Sequence, residues 1–133
     1  VRFHKKLEAT LLDLYEAIGG IDLAVLDGTY ISSGVAPDSS KINTNVLLLG
    51  RDAVAVETVG ATLVGLDPEK MPIIKEAMAR GIGEGNMEKV EVLGASIEDL
   101  KEKFYHLLNV PRKKGKTSQA KKRSSHQKGN LKP

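Results

Sequence analysis

Residues 46–66, VLLLGRDAVAVETVGATLVGL, decide the fold that the sequence predicts. A short apolar run ends at Gly50, a turn carries Arg51 and Asp52, and a long apolar segment with the length of a helix follows. A helix that is apolar on nearly every side is typical of a buried core element. The stretch therefore predicts a strand–turn–helix unit, and in open α/β sheets ligands bind where strands end in such units.

Glu57 is the only charged residue of the predicted core helix. Its neighbours one turn before and after, Val54 and Ala61, are both apolar. A buried carboxylate costs free energy unless it is paired. We therefore expect either an ion pair with a base such as Arg51 or Arg80, or a functional carboxylate that acts as an acid/base or as a metal ligand.

The remaining segments predict alternating helices and strands. An amphipathic helix is indicated by an apolar stripe at i, i+4, i+7 and i+11, which consists of Leu7, Leu11, Leu14 and Ile18 and is widened by Leu12 and Tyr15. Gly19 and Gly20 are expected to close this helix as a left-handed C-terminal cap. Residues 21–28 and 89–94 predict two further strands, and residues 72–80 and 97–108 two further helices. The order predicts an α/β layered domain over residues 1–110, with a small, mostly parallel sheet flanked by helices.

Two features suggest that this domain is part of a larger sheet or of a longer protein. Three strands make a thin sheet, so we expect the sheet to be completed by strands from elsewhere. The chain also starts at Val1, within a predicted helix, as a fragment or a processed product would. A homo-oligomer partner is the other way to complete such a sheet.

Residues 29–45 form a segment rich in Ser, Thr, Asn, Gly and Pro without a clear periodicity. A structureless connection of this length is uncommon in a compact domain, where it is often a lid or a binding loop. Disorder is the alternative explanation. The sequence predicts an irregular loop here.

Charge is distributed very unevenly along the chain. Residues 111–133 hold nine Lys and Arg and no acid, whereas residues 1–110 hold eleven bases and seventeen acids, a net charge of −6. The basic segment has few apolar residues and predicts a disordered tail. Such a tail either is a solvated extension or binds nucleic acid through non-specific phosphate contacts. It has no aromatic residue that would stack on a base.

The chain contains no cysteine. A disulfide framework, a thiolate nucleophile, a zinc ribbon and an iron–sulfur cluster built by this chain are therefore excluded. No apolar run approaches the roughly 18 residues of a membrane span. These observations favour a cytoplasmic protein without a membrane partner.

Three acids are predicted near strand ends and helix starts: Asp27, Asp52 and Glu57. With Asp38 of the predicted loop they form a candidate site for a divalent cation, because Mg²⁺ and Ca²⁺ prefer carboxylate oxygens. Structural roles compete with this hypothesis. Asp52 stands where a helix N-cap is expected, and Asp27 precedes Gly28 as turn residues often do.

The predicted ligand site contains these acids and two glycines; its members are Asp27, Gly28, Gly34, Asp52 and Glu57. Glycines at 81, 83 and 85 resemble a phosphate-binding loop only loosely, because they follow a helix and precede the predicted strand. A chain-reversal role is favoured for them.

Several segments together resemble one known family. They are FHKKL at 3–7, AVLDG at 24–28, the G-x-x-P of residues 34–37, LLLGRDAVAVETVGATLVGLDP at 47–68, PIIKEAMARGIGEGN at 72–86 and VEVLGASIEDL at 90–100. In order and spacing these resemble the carboxyl-terminal half of the family catalogued as domain of unknown function 362, which is frequent in archaea and bacteria.

The resemblance covers about residues 3 to 108, and the G-x-D-x-V-A-V-E core is its most specific part. It implies an amino-terminal half as partner. Some members carry or accompany iron–sulfur modules, a label that a chain without cysteine does not support. Two departures matter: the loop reads SSGVAPDSS where many relatives have a glycine-richer G-N-G-P segment, and the core acid is Glu57 where Asp is common.

Three hypotheses follow. The first is a domain that binds a small ligand or a divalent metal ion at the predicted site. The second is a nucleic-acid-associated module that acts through its basic tail. The third is a purely structural half-domain, in which Glu57 forms a salt bridge. The sequence leaves open whether the protein is an enzyme, and Glu57 is the best candidate for a catalytic residue.

Overall fold

The computed structural model describes residues 6–33 and 40–108. Its helices and strands are α1 (Leu7–Ala17), β1 (Ala24–Ser33), β2 (Ser40–Gly50), α2 (Ala53–Leu63), α3 (Pro72–Ala79) and α4 (Ile97–Leu108). Single turns of 3₁₀ helix, Pro68–Lys70 and Met87–Lys89, precede α3 and follow it. The result is an α/β domain in which an antiparallel hairpin packs against helices.

The predicted mostly parallel sheet is wrong. β1 and β2 pair antiparallel, with Ala24 opposite Gly50 and Leu26 opposite Leu48. Residues 29–33 and 40–45, predicted as an irregular loop, extend the two strands instead. Thr, Tyr and Ile in these segments favour extended backbone, and hairpin pairing supplies the hydrogen bonds that a loop would lack.

Residues 90–93, predicted as a strand, have no strand partner among the described residues. A strand is stable only where a neighbour accepts and donates its backbone hydrogen bonds. The described sheet contains only β1 and β2.

An irregularity in the pairing ties the hairpin to α4. The register shifts between Gly28 and Tyr30, and Asn45 on the facing strand takes a positive φ of 47°. The fully buried Thr44 donates its hydroxyl to the carbonyl of Gly28. The Nζ of Lys103 in α4 donates to the carbonyl oxygen of Thr44 at 2.6 Å. This irregular point of the ladder is thus held by a helix.

Helix α2 is the core helix that the sequence predicts. Its buried residues are Val54, Val56, Thr58, Val59, Ala61 and Leu63. The hydroxyl of Thr58 donates to the carbonyl of Val54 at 2.7 Å, so this buried polar group is satisfied. A Cβ on Gly60 would lie 2.8 Å from Leu26 Cδ1, and the glycine therefore lets α2 approach the hairpin closely.

Helix α1 is attached through Leu12, at the edge of its predicted apolar face, and through ion pairs with Arg80, whereas the centre of that face is exposed. Leu12 is its only buried residue and joins the cluster around Ile74 and Ala77 of α3. Arg80 binds Asp13 and Glu16 of α1 at 2.6 and 3.0 Å. Gly19 and Gly20 end the helix with the positive φ angles that its sequence predicts.

Two apolar surfaces are left exposed. The α1 stripe (Leu7, Leu11, Leu14 and Ile18) is 43–62% exposed, although such a stripe normally faces a core. The outer sheet patch (Leu23, Val25, Leu47 and Leu49) is 54–59% exposed on the hairpin face that turns away from α2. Among the described helices, none is long and apolar enough to cross a membrane.

Candidate functional site

Two apolar cavities lie on either side of Glu57. The helix cavity, of about 240 Å³, is bounded by α1, α2 and α3, with Leu12, Ala53, Ile74 and Ile82 in its wall. The hairpin cavity, also of about 240 Å³, lies between the hairpin and α2; Leu26, Leu48, Val64 and Phe104 belong to its wall. Glu57 lines both cavities.

Glu57 is exposed, and its predicted burial is wrong. Helix α2 turns this one position toward solvent between the two cavities, so the carboxylate keeps contact with water. The predicted ion pair with Arg80 is also wrong, because Arg80 binds Asp13, Glu16 and Glu76 instead. No salt bridge joins Glu57 to another residue in the described part of the chain.

Asp27, Gly28 and Glu57 line the same hairpin cavity. Three of the five predicted ligand-site residues thus share one wall, although Asp27 and Glu57 are 30 positions apart. Gly28 is buried, and a Cβ there would lie 3.0 Å from the carbonyl oxygen of Val46. Whether these residues bind a ligand stays a prediction.

The carboxylate of Asp27 is already held by its own turn. Its Oδ1 accepts the Thr29 hydroxyl at 2.5 Å and the Thr29 backbone N–H at 2.8 Å. These hydrogen bonds, with the hydroxyl contributing most, lower the pKa of Asp27. The turn role that the sequence offers as an alternative is therefore present at Asp27.

Asp52 is an N-cap, as its position predicts. Its Oδ1 accepts the backbone N–H of Val54 at 2.8 Å and that of Ala55 at 3.0 Å. Its Oδ2 accepts the backbone N–H of Glu84 at 2.8 Å. Because both oxygens are engaged by backbone groups, Asp52 joins the start of α2 to the glycine-rich turn after α3.

The glycine-rich turn reverses the chain, as its context favours. Gly81 takes a φ of +69°, and the N–H of Ile82 donates to the carbonyl of Ala77 at 3.0 Å. A Cβ on Gly83 would lie only 2.3 Å from Asp52 Oδ1, so the turn packs directly on the cap. Sequence reasoning missed this contact; the aspartate at a helix start and the glycines were its only signals.

The described residues contain no group of three or more acids and histidines that is suited to a metal ion. Asp52 is not among the residues that line the hairpin cavity with Asp27 and Glu57. Gly34, Asp38 and the basic tail lie outside the described residues. The tail's predicted disorder and nucleic-acid contacts, and the predicted amino-terminal partner, stay predictions.

Comparisons with known proteins give no match: no family model, no curated protein and no solved structure corresponds to the chain. The resemblance to the domain of unknown function 362 family therefore remains a prediction from its motifs.

Proposed function

We propose that this domain binds a small, mainly apolar molecule that carries a positively charged or hydrogen-bond-donating group. The observation that supports this most is Glu57, an exposed residue that borders two apolar cavities and has no ion-pair partner among the described residues. Ligand sites usually combine an apolar wall with a few polar groups that fix orientation. One free carboxylate at an apolar wall selects an amine over an acid.

The hairpin cavity is the proposed site, because Asp27 and Gly28 lie in its wall together with Glu57. Asp27 belongs to the wall, but it pairs across the ladder with Leu47 of the outer face and its Oδ1 is engaged by Thr29, so the proposal depends on the charge of Glu57. The volume of about 240 Å³ is just below the usual range of about 300–1,000 Å³ for ligand pockets. The ligand is therefore small, of the size of one ring with a short aminoalkyl arm.

A divalent cation is the second ligand class that the acids favour in sequence. In the described chain, however, no third acid joins Asp27 and Glu57 to complete a metal-binding group. Hard cations take six or more oxygen ligands in many proteins. The geometry therefore supports an organic cation better than a metal ion.

The proposal is tested with benzylamine, benzyl alcohol, benzoate and MgCl₂ as separate probes in thermal unfolding. At tenfold excess over Kd, one-site binding stabilises the folded state by about 1.4 kcal/mol, which corresponds to a shift of several degrees in Tm. We expect a shift with benzylamine and none with benzoate. Chemical-shift changes in NMR should include the amides of Gly28 and Gly60, both in the wall of the hairpin cavity.

Glu57→Gln keeps the size of the side chain and removes its charge. It should abolish the benzylamine shift, whereas Glu91→Gln, at another exposed glutamate, should leave the shift unchanged. A shift that survives Glu57→Gln, or equal shifts with benzylamine and benzoate, would contradict the proposal. A shift with MgCl₂ alone would favour the metal hypothesis instead.

A further inference from the structure

We infer that the α1 stripe of one copy of this chain packs on the outer sheet patch of a second copy, and that the contact is reciprocal. The occupant of both exposed surfaces is then the same protein. This inference does not depend on the proposed ligand. It concerns the α1 stripe and the hairpin face that turns away from α2.

The orientation of α1 leaves its apolar stripe exposed. With about 100° between successive residues, the stripe occupies an arc of about 60° on the helix, and Leu12, Asp13 and Glu16 lie about 130–170° away from its centre. Those three residues are the ones that contact the cluster on α3 or bind Arg80. Helix α1 is thus fixed by one side and presents most of its apolar stripe to the exterior, while Leu11 also lines the helix cavity.

The outer sheet patch is an exposed apolar surface on the hairpin. Val25 is paired with Leu49, and Leu47 lies two residues earlier on the same face of β2. Each of the three is more than half exposed. A sheet in a layered domain is normally covered by helices or by another sheet on its apolar faces. Here α2 covers one face of the hairpin, and none of the described elements buries the other.

The two surfaces match in kind and in size. Two paired strands lie about 4.8 Å apart, and a helix is about 10–12 Å across, so a single helix covers a two-stranded sheet. The stripe from Leu7 to Ile18 is about 16 Å long. The patch from Leu23 to the level of Leu47, which is paired with the fourth residue after Leu23, is about 13 Å long. One α1 therefore fits one hairpin.

The apolar area of the two surfaces, at the upper end of its range, reaches that of a standard dimer interface. Full burial of a large aliphatic side chain removes about 60–120 Å² from water. Eight half-exposed side chains, four from each surface, then offer about 250–500 Å² of apolar area per copy. A standard interface buries about 800 Å² per partner, of which about 450–500 Å² is apolar. Reciprocal packing forms two identical contacts, each between the α1 stripe of one copy and the outer sheet patch of the other, and gives a closed two-fold dimer.

Within residues 6–33 and 40–108, no element covers either surface. Leu12 and the ion pairs of Arg80 fix α1 on α3, with the stripe turned outward. In the proposed dimer, the α1 stripe of the second copy covers the outer sheet patch of the first. The outer sheet patch of the second copy covers the α1 stripe of the first.

Sedimentation equilibrium of the full chain tests the inference. The wild type should form dimers as its concentration rises, and high salt should not dissociate them, because salt screens only charged contacts. The helix variant Leu14→Gln/Ile18→Gln and the sheet variant Leu47→Thr/Leu49→Thr should each raise the dimer Kd at least tenfold. Leu93→Gln, at a large apolar residue that is 84% exposed elsewhere, is the matched control and should change nothing.

An equimolar mixture of the two variants separates reciprocal packing from other interfaces. One helix-on-sheet contact is intact in the mixed dimer, so the mixture should associate more tightly than either variant alone. A helix–helix interface would leave the sheet variant dimeric, and a sheet–sheet interface would leave the helix variant dimeric. Either result, or a wild type that stays monomeric up to millimolar concentration, would overturn the inference.

Folding of the variants is checked independently by circular dichroism. All four replaced residues are exposed, so the helical signal should be retained. If a double variant loses that signal, the single substitutions Ile18→Gln and Leu49→Thr replace it, with a smaller expected rise in Kd. Unchanged Kd values in folded single variants would contradict the reciprocal contact.

Discussion

Helices α1 and α2 have the same length of 11 residues and similar shares of apolar side chains, but opposite surroundings. Six residues of α2 are buried, whereas only Leu12 of α1 is. Helix α2 lies under the hairpin, and α1 is held by Arg80 and by Leu12. The difference shows that an apolar stripe in a sequence predicts a helix face that is buried against something. It does not predict which element, or which molecule, buries that face.

The largest difference between the two helices is expected from truncation of one leucine in each. Leu63→Ala in α2 removes a side chain that is 2% exposed and should lower the free energy of unfolding by about 2–5 kcal/mol. Leu14→Ala in α1, at 60% exposure, should change it by less than about 0.5 kcal/mol at concentrations where the chain is monomeric. Urea unfolding measures both values, and equal losses would contradict the comparison.

The next effect concerns the packing at the start of α2. A Cβ at Gly83 would clash with Asp52 Oδ1 and with Val54. Gly83→Ala should therefore lower the free energy of unfolding by about 1–3 kcal/mol. Gly81→Ala is the informative control, because a Cβ there meets no atom and only its φ of +69° opposes the change. A smaller loss for Gly83→Ala than for Gly81→Ala would show that the turn does not pack on the cap.

The helix starts give a third contrast. Asp52 caps α2 through two backbone N–H groups, whereas Lys6 at the start of α1 makes no side-chain cap hydrogen bond. Asp52→Ala should therefore cost about 1–2 kcal/mol of stability, and Asp52→Asn much less. Lys6→Asp should stabilise the α1 end by up to about 1 kcal/mol. Chemical denaturation measures the stability of the two Asp52 variants, and amide hydrogen exchange of α1 measures the effect of Lys6→Asp.

The smallest effect concerns Asp27 in the hairpin. Its lowered pKa means that the folded state favours the charged carboxylate. This contribution to stability is complete above the unfolded-state pKa of about 3.9 and is lost as the pH falls through the lower folded-state value. Thr29→Val removes the hydroxyl donor and should raise the pKa of Asp27 toward its ordinary value in an NMR titration. An unchanged pKa would show that the hydroxyl does not matter.

Local signals predicted the helices well. The apolar run of α2, the cap at Asp52 and the glycines after α1 act within a few residues, so neighbouring side chains define them. The core position of α2 was predictable for the same reason. Glu57 was not, because its exposure depends on how α2 lies between the hairpin and α3.

The sheet could not be predicted in the same way. An apolar run such as residues 46–49 fits a buried parallel strand and also a hairpin strand with an uncovered outer face. The strand direction depends on residues 29–33 and 40–45, whose polar composition favoured a loop. The site was predicted in part: Asp27, Gly28 and Glu57 share a cavity wall, whereas Asp52 serves α2 and the turn at Gly83.

Helix α1 differs from α2 in that its apolar stripe, as we propose, is covered in solution by another copy of the chain. NMR with a soluble gadolinium chelate measures this coverage directly through the methyl groups of Leu14, Leu49 and Leu93. At high protein concentration, Leu14 and Leu49 should be protected from paramagnetic broadening and Leu93 should not. Equal broadening of all three methyl groups at every concentration would contradict the account.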